Sequence, residues 1–284
     1  MKIQDTIQLF RDELKNLYSV EEIENFIFFS MNEYLGFTRR HLQLKANQSL
    51  GEKETERFKT ILSELKNHKP IQYILGHTEF YGLKIRVNEH VMIPRPETEE
   101  LVELILQQNP SPKNVLDIGT GSGCIAISLK KHLHEATISA IDISEEALLT
   151  AKENAILNHA LINFLQADIL QFNNSATQQL NNFDVIVSNP PYVLHSEKDK
   201  MSKNVLNYEP PLALFVNDND ALVFYKAIAD FALQNLSHNG KLYVEINESF
   251  GSEVKKLLEG KGFKKLEIKK DMSGKDRIAI ACKM

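Results

Sequence analysis

Asn189-Pro190-Pro191-Tyr192 follows a largely apolar run, Phe183-Asp184-Val185-Ile186-Val187-Ser188. The run reads as a buried parallel strand. A tetrapeptide with two prolines cannot extend that ladder, because neither proline carries an N–H. The chain therefore leaves its sheet at the C-terminal edge, where open α/β sheets bind ligands. Proline also restrains the residue before it toward extended geometry, so Asn189 and Pro190 belong to a stiff loop. That loop offers an amide side chain, backbone carbonyls and an aromatic ring, groups suited to gripping a planar –NH2. An ordinary surface turn is the alternative, since Asn-Pro and Pro-Pro mark turns widely.

A second segment shifts the balance. Asp117-Ile118-Gly119-Thr120-Gly121-Ser122-Gly123 follows a short apolar strand and opens a helix. Glycines there permit positive φ and let a ligand approach the backbone closely. The spacing is G-x-G-x-G, not the dinucleotide G-x-G-x-x-G, so no pyrophosphate cradle is required. The next strand ends at Asp142, where a carboxylate could accept both hydroxyls of an unphosphorylated ribose. Asp168, after a further strand, could accept from an adenine amino group while Ile169 packs on the ring.

Alternating strands and helices must carry these loops. Strands are predicted at Val115–Ile118, Thr137–Ile141, Ile162–Leu165, Phe183–Ser188, Lys241–Ile246, Lys265–Ile268 and Arg277–Cys282. Helices are predicted from near Thr98 and at Cys124–His132, Glu145–Asn158, Ala221–Asn235 and Gly251–Lys261. Repeated β-α units argue for a doubly wound, mostly parallel sheet with right-handed crossovers. Asn173–Asn182 is the most loop-like stretch. Residues 1–70 look wholly helical: Ile3, Ile7, Phe10, Leu14 and Leu17 form one stripe, Ser19 with Glu22 reads as a capping box, and Gly36 closes the second helix. Residues 71–92 break into β-like pieces, Tyr73–Leu75 and Leu83–Val87, read as a linking β-hairpin. Residues 93–284 are then expected to form the larger, α/β domain. In Pro94-Arg95-Pro96-Glu97-Thr98-Glu99 the prolines read as a linker and Thr98 as a helix cap.

Composition excludes several classes. The 284 residues are 43% hydrophobic and 25% charged, as in ordinary globular proteins, with a net charge of −5. That balance argues against sequence-specific nucleic-acid binding. The lysines from Lys255 to Lys270 are expected to solvate an outer helix and an edge strand. Cys124 and Cys282 sit singly with no metal-like spacing, so no metal is expected and a reducing compartment fits. The chain shows neither a membrane-length apolar stretch nor a signal or transit pattern, and a cytoplasmic location is expected.

The glycine loop from Asp117 to Gly123, with Asp142 and Asp168, resembles the cofactor motifs of class I S-adenosylmethionine-dependent methyltransferases. The Asn-Pro-Pro-Tyr loop looks like their amino-methylating branch. Pro70-Ile71-Gln72-Tyr73-Ile74 with Gly76, Phe80 and Gly82, then Ile93 to Glu99, resembles the HemK/PrmC family. So do Tyr208-Glu209-Pro210-Pro211-Leu212-Ala213-Leu214-Phe215 and Asp271 with Gly274-Lys275-Asp276-Arg277. The resemblance runs nearly end to end. It implies an α/β, Rossmann-like methyltransferase with a small N-terminal helical bundle and a linking hairpin. It also implies methyl transfer from S-adenosylmethionine, leaving S-adenosylhomocysteine, to the N5 of the glutamine in the Gly-Gly-Gln motif of class 1 peptide chain release factors.

The residue roles implied are specific. Asp117, Gly119, Thr120, Gly121, Ser122, Gly123, Asp142, Asp168, Ile169 and Asn189 would hold the cofactor. Asn189, Pro190, Pro191, Tyr192 and Arg95 would hold the substrate, with Asn189, Pro190 and Tyr192 catalytic. The Asn189 side-chain oxygen and the Pro190 carbonyl would accept the two amide hydrogens, and Tyr192 would pack against the flat amide. The N-terminal bundle is expected to recognise the release factor, since a lone Gly-Gly-Gln loop offers little surface. One departure stands out: Val216-Asn217-Asp218-Asn219-Asp220 replaces a glycine-rich turn, and Asn and Asp tolerate left-handed geometry there. The competing readings are a ribosomal-protein glutamine methyltransferase, a DNA adenine methyltransferase and a non-catalytic release-factor-binding module.

Overall fold

The computed structural model describes residues 1–172 and 182–284, so all of the loop-like stretch but Asn182 lies outside the described residues. The chain divides into two compact units, residues 1–76 with 202–208, and residues 77–201 with 209–284.

The first unit is helical. Ile3–Leu14, Val20–Leu35 and Glu52–Lys66 are its long helices, with shorter ones at Arg39–Leu44, Ile71–Leu75 and Lys203–Tyr208. Phe10, Leu14, Ile23, Ile27, Met31, Phe58 and Leu65 fill the space between them, each worth about 1.5–3 kcal/mol of burial. The capping box forms as expected: Glu22 accepts from the Ser19 amide at 2.9 Å, and Ser19 Oγ accepts from the Glu22 amide at 3.3 Å. Gly36 closes the helix at φ +65°. Leu17 falls beyond the first helix and is exposed, so the apolar stripe stops at Leu14.

Tyr73–Leu75 is helix, not strand. Pro70 opens a five-residue helix that Gly76 ends at φ +77°. Ile71, Ile74 and Leu75 pack on the bundle core, and a three-residue apolar run has too little length to declare its period. The hairpin follows it in the second unit, as β1 (His77–Phe80) and β2 (Leu83–Arg86).

The second unit contains β3 (Asn114–Ile118), β4 (Thr137–Asp142), β5 (Asn163–Gln166), β6 (Phe183–Ser188), β7 (Val193–Leu194), β8 (Phe215–Val216), β9 (Leu236–Glu245), β10 (Lys264–Lys270) and β11 (Asp276–Cys282). Seven of them form one sheet in the order β10-β11-β9-β6-β3-β4-β5, with β11 the antiparallel member. β10, rich in lysine, is indeed an edge strand. From β3 the chain winds outward to β4 and β5, then returns to β6 on the other side. That reversal opens a crevice beyond the C-terminal ends of β3 and β6. The sequence-marked loops leave from those two ends. Thr98 does not cap its helix: Pro96–Gln108 starts with Pro96 in its first turn after Arg95, which leaves the Thr98 hydroxyl for another partner. The segment after Val216 takes no left-handed residue. Asp218–Asp220 is one 3-10 turn, and Asn217 Oδ1 accepts from the Asn219 amide at 3.1 Å.

Candidate active site

β3 is followed by a loop whose glycines sit at φ +71° (Gly119), +54° (Gly121) and +80° (Gly123). The Gly119 and Thr120 amides both donate to the Ile141 carbonyl, at 2.8 and 3.0 Å, so the loop folds over the end of β4. The Gly121 amide then donates to Asp142 Oδ2 at 2.8 Å, and the Ser144 amide to Asp142 Oδ1 at 3.0 Å. The Ile143 amide adds a third backbone donor to this carboxylate. Burial raises the Asp142 carboxyl above its usual range, against those backbone bonds.

Asp117 lies beneath this loop, fully buried, with Oδ2 accepting from the Thr120 hydroxyl at 2.6 Å. Its Oδ1 has no hydrogen-bond partner among the described residues, and burial pushes the carboxyl up to about 7.

A cavity of about 290 Å³ occupies the crevice. Gly119, Thr120, Gly121, Ser122, Asp142, Asp168 and Ile169 line it, together with Asn189, Pro190 and Pro191. A Cβ built on Gly119 or Gly121 would meet nothing within 4 Å. Ile118, Ile141, Ile143 and Phe224 supply apolar wall. Asp168 is held in place by the Leu170 amide and the Gln171 side chain, at 2.9 and 3.1 Å. An open glycine backbone, apolar wall and anchored carboxylates fit an adenosyl group with free ribose hydroxyls.

Four predicted residues are outside the cavity lining. Gly123 is at the packing junction, where a Cβ would be 3.1 Å from Ala151 Cβ, and Asp117 supports the loop from below. Arg95 is turned to Glu209 in a salt bridge, with Glu209 Oε2 also accepting from the Ile93 amide at 3.3 Å. Burial raises the Glu209 carboxyl while the Arg95 guanidinium opposes the shift. This pair fastens Val91–Pro94 to Pro210–Ala213, segments that both contribute to the cavity wall. Tyr192 packs its ring against the core and donates its hydroxyl to Glu245 Oε1 at 3.0 Å. Its hydroxyl therefore braces the loop through Glu245.

At the C-terminal end of β6, Ser188 Oγ donates to the Ile118 carbonyl at 2.7 Å and ties β6 to β3. Asn189 Nδ2 donates to Thr98 Oγ1 at 3.3 Å, and Thr98 Oγ1 donates to Glu245 Oε2 at 2.8 Å. Glu245 is buried, which raises its carboxyl above the usual range; Thr98, Tyr192 and the Arg277 charge oppose the shift. Arg277 is itself held by Asp271 at 3.1 Å. Sequence reasoning missed Glu245. Its signal was a charged residue closing the apolar run Leu242-Tyr243-Val244, where a buried charge demands partners. Among the described residues no group of three or more His, Cys, Asp or Glu could hold a metal ion, and no helix is long and apolar enough to cross a membrane.

Residues 97–274 match the methyltransferase small domain, and residues 5–76 match the PrmC N-terminal domain. A release factor glutamine methyltransferase of Flavobacterium psychrophilum is 49% identical, the match covering 98% of each chain. Its counterpart in Bacteroides thetaiotaomicron is 42% identical over 95% of this chain and 96% of that one. The chain belongs to the release factor glutamine methyltransferase family. Its fold extends further: the hMettl16 catalytic domain, solved with an RNA hairpin of the MAT2A 3′UTR, superposes with a TM-score of 0.59 at 19% identity, covering 90% of each chain. A Pyrococcus furiosus methyltransferase gives 0.52 at 18% identity, over 82% of this chain and 99% of that one. The central sheet is that of class I methyltransferases.

Proposed function

We propose that this enzyme methylates the N5 amide nitrogen of the glutamine in the Gly-Gly-Gln motif of class 1 release factors, using S-adenosylmethionine. The observation that carries this reading is one cavity lined by both the Gly119–Ser122 loop and Asn189–Pro191. S-adenosylmethionine, when bound, supplies an electrophilic methyl group. Gly119, Thr120, Gly121, Ser122, Asp142, Asp168, Ile169 and Asn189 would hold it, with Asp142 taking the ribose hydroxyls and Asp168 the adenine amino group.

A glutamine amide is a poor nucleophile because its lone pair is delocalised into the carbonyl. Orientation can supply about 7–11 kcal/mol of such a barrier. The Asn189 side-chain oxygen and the Pro190 carbonyl accept the two amide hydrogens, align the nitrogen and stabilise the positive charge that grows on it. Pro191 shapes the slot, while Tyr192 and Arg95 hold its walls. The helical unit recognises the release factor, with exposed Phe29 and Leu44 available for contact. The reaction takes place in the cytoplasm, with the translation machinery.

The test is methyl transfer from labelled cofactor to purified unmodified release factor, with peptide mapping, beside a ribosomal fraction and duplex DNA. Label on the Gly-Gly-Gln glutamine, abolished by Asn189→Ala while S-adenosylhomocysteine binding is weakened but largely preserved, is the expected result. Label confined to a ribosomal protein or DNA would overturn the target, and turnover by Asn189→Ala would overturn the role of Asn189.

A further inference from the structure

Asn189 carries an acceptor at one end of its amide and a donor at the other. Only the acceptor serves a substrate –NH2; turned by half a rotation, the side chain would set donor against donor. The backbone of a proline-locked loop fixes where the amide sits but does not choose between its two ends. That choice needs a neighbour of defined polarity.

The polarity can be followed outward from Glu245. A carboxylate only accepts, and both Glu245 oxygens are engaged, Oε1 by the Tyr192 hydroxyl and Oε2 by the Thr98 hydroxyl. Burial works against the ionised form, and the two hydroxyl donors, Thr98 and Tyr192, together with the Arg277 charge anchored by Asp271, support it. A threonine hydroxyl has a single proton. Since the Thr98 proton goes to Glu245, the same oxygen can only accept from Asn189. The end of Asn189 facing Thr98 must therefore be Nδ2, as observed at 3.3 Å. The reversed amide would place Asn189 Oδ1 against lone pairs on Thr98, two acceptors face to face with no proton between them, and Oδ1 is left as the end offered to the slot.

We propose that Thr98 and Glu245 are positioning residues for methyl transfer: the Glu245 carboxylate, acting through Thr98, sets which end of the Asn189 amide meets the substrate. This rests on the reading of Asn189 as the acceptor for the glutamine amide. A simple staple between the helix Pro96–Gln108 and β9 would use the same hydrogen bond, so the test must read direction as well as strength. Release factor with its Gly-Gly-Gln glutamine replaced by glutamate provides that readout. Its carboxylate, an acceptor, is repelled by a correctly directed Asn189 but welcomed by a reversed one.

Thr98→Val is expected to lower kcat about 10²-fold, the scale of a small misplacement at a reacting centre, while KM and S-adenosylhomocysteine affinity hold. Thr98→Ser restores kcat. The Gln→Glu release factor, measured as a competitive inhibitor, binds about tenfold tighter to Thr98→Val than to wild type, a change of about 1.4 kcal/mol. Unchanged kcat and unchanged discrimination in Thr98→Val, with Asn189→Ala inactive, would overturn this inference alone. Loss confined to cofactor affinity or to KM would also overturn it, as would a kcat loss with no gain for the glutamate form. Turnover by Asn189→Ala would instead overturn the underlying reading of the loop. Should Thr98→Val fail to bind S-adenosylhomocysteine, Glu245→Gln decides: it keeps the shape and adds a donor, so lowered kcat with tighter glutamate-form binding supports the relay, and wild-type values refute it.

Discussion

Replacing Arg95 by methionine keeps most of the aliphatic bulk of the side chain and removes the charge that faces Glu209. The Glu209 side chain is 1% exposed and that of Arg95 33%. Removing one partner of a fully buried ion pair costs about 3–5 kcal/mol, because the other charge is left without compensation. Water reaches the Arg95 side and can answer part of that charge, which lowers the expected loss to about 2–3 kcal/mol. At about 2–4 °C per kcal/mol for a unit of this size, Tm should fall by roughly 5–10 °C. Since the pair joins two parts of the cavity wall, affinity for S-adenosylhomocysteine should fall as well.

The pH dependence separates this mechanism from lost packing. The Glu209 carboxyl already stands above its ordinary value, and without Arg95 it rises further. A carboxyl whose folded pKa is raised contributes its stability at low pH and loses it as pH rises through that pKa. The deficit of Arg95→Met should therefore be larger near pH 8 than near pH 5.5. Adding Glu209→Gln, which cannot ionise, should recover most of it. Thermal unfolding of the single and double variants at both pH values measures this. A deficit equal at the two pH values, or no recovery in the double variant, would refute the argument.

Further predictions concern the cofactor end and the helical unit. Gly123→Ala should destabilise by about 1–3 kcal/mol, from strain at positive φ and overpacking; its Cβ would meet Ala151 Cβ at 3.1 Å and Ile127 Cδ1 at 3.2 Å. Gly119→Ala meets open space and should cost only the φ strain, about 1–2 kcal/mol, so unfolding of the two variants should rank in that order. Asp117, raised to about 7 from an ordinary 3.8, should make the ligand-free chain lose stability as pH climbs from about 4 to about 7, and Asp117→Asn should flatten that slope in thermal melts. Asp142→Ala, which removes the carboxylate at the cavity wall, should weaken S-adenosylhomocysteine about 10–100-fold by calorimetry, as expected for lost hydrogen bonds to a charged group. Phe29→Glu with Leu44→Glu should raise KM for the release factor at constant kcat.

How far the sequence could be read depended on whether the deciding contact was local. Phe183–Ser188 matches its predicted bounds because an apolar run is stopped by Asn-Pro-Pro, and Cys124–His132 matches because a glycine at φ +80° precedes it. Tyr73–Leu75 could not be read this way: Ile71, Ile74 and Leu75 are drawn into helix by a bundle core assembled from distant residues. The site divides along the same line. The glycine loop, Asp142 and Asn189 are legible because the chemistry each offers is carried by its own neighbours in the chain. Arg95 and Glu209 are 114 residues apart, and Thr98 and Glu245 are 147 apart; no local spacing encodes such pairs. Thr98 shows the consequence most clearly. Beside Pro96 and Glu97 it has the makings of a helix cap, yet Pro96 occupies the first turn and frees the hydroxyl for Glu245. What a sequence does retain of such a pair is a demand without an address: a glutamate that ends a buried apolar strand must be answered by donors, and only the folded sheet determines that Thr98 and Tyr192 supply them.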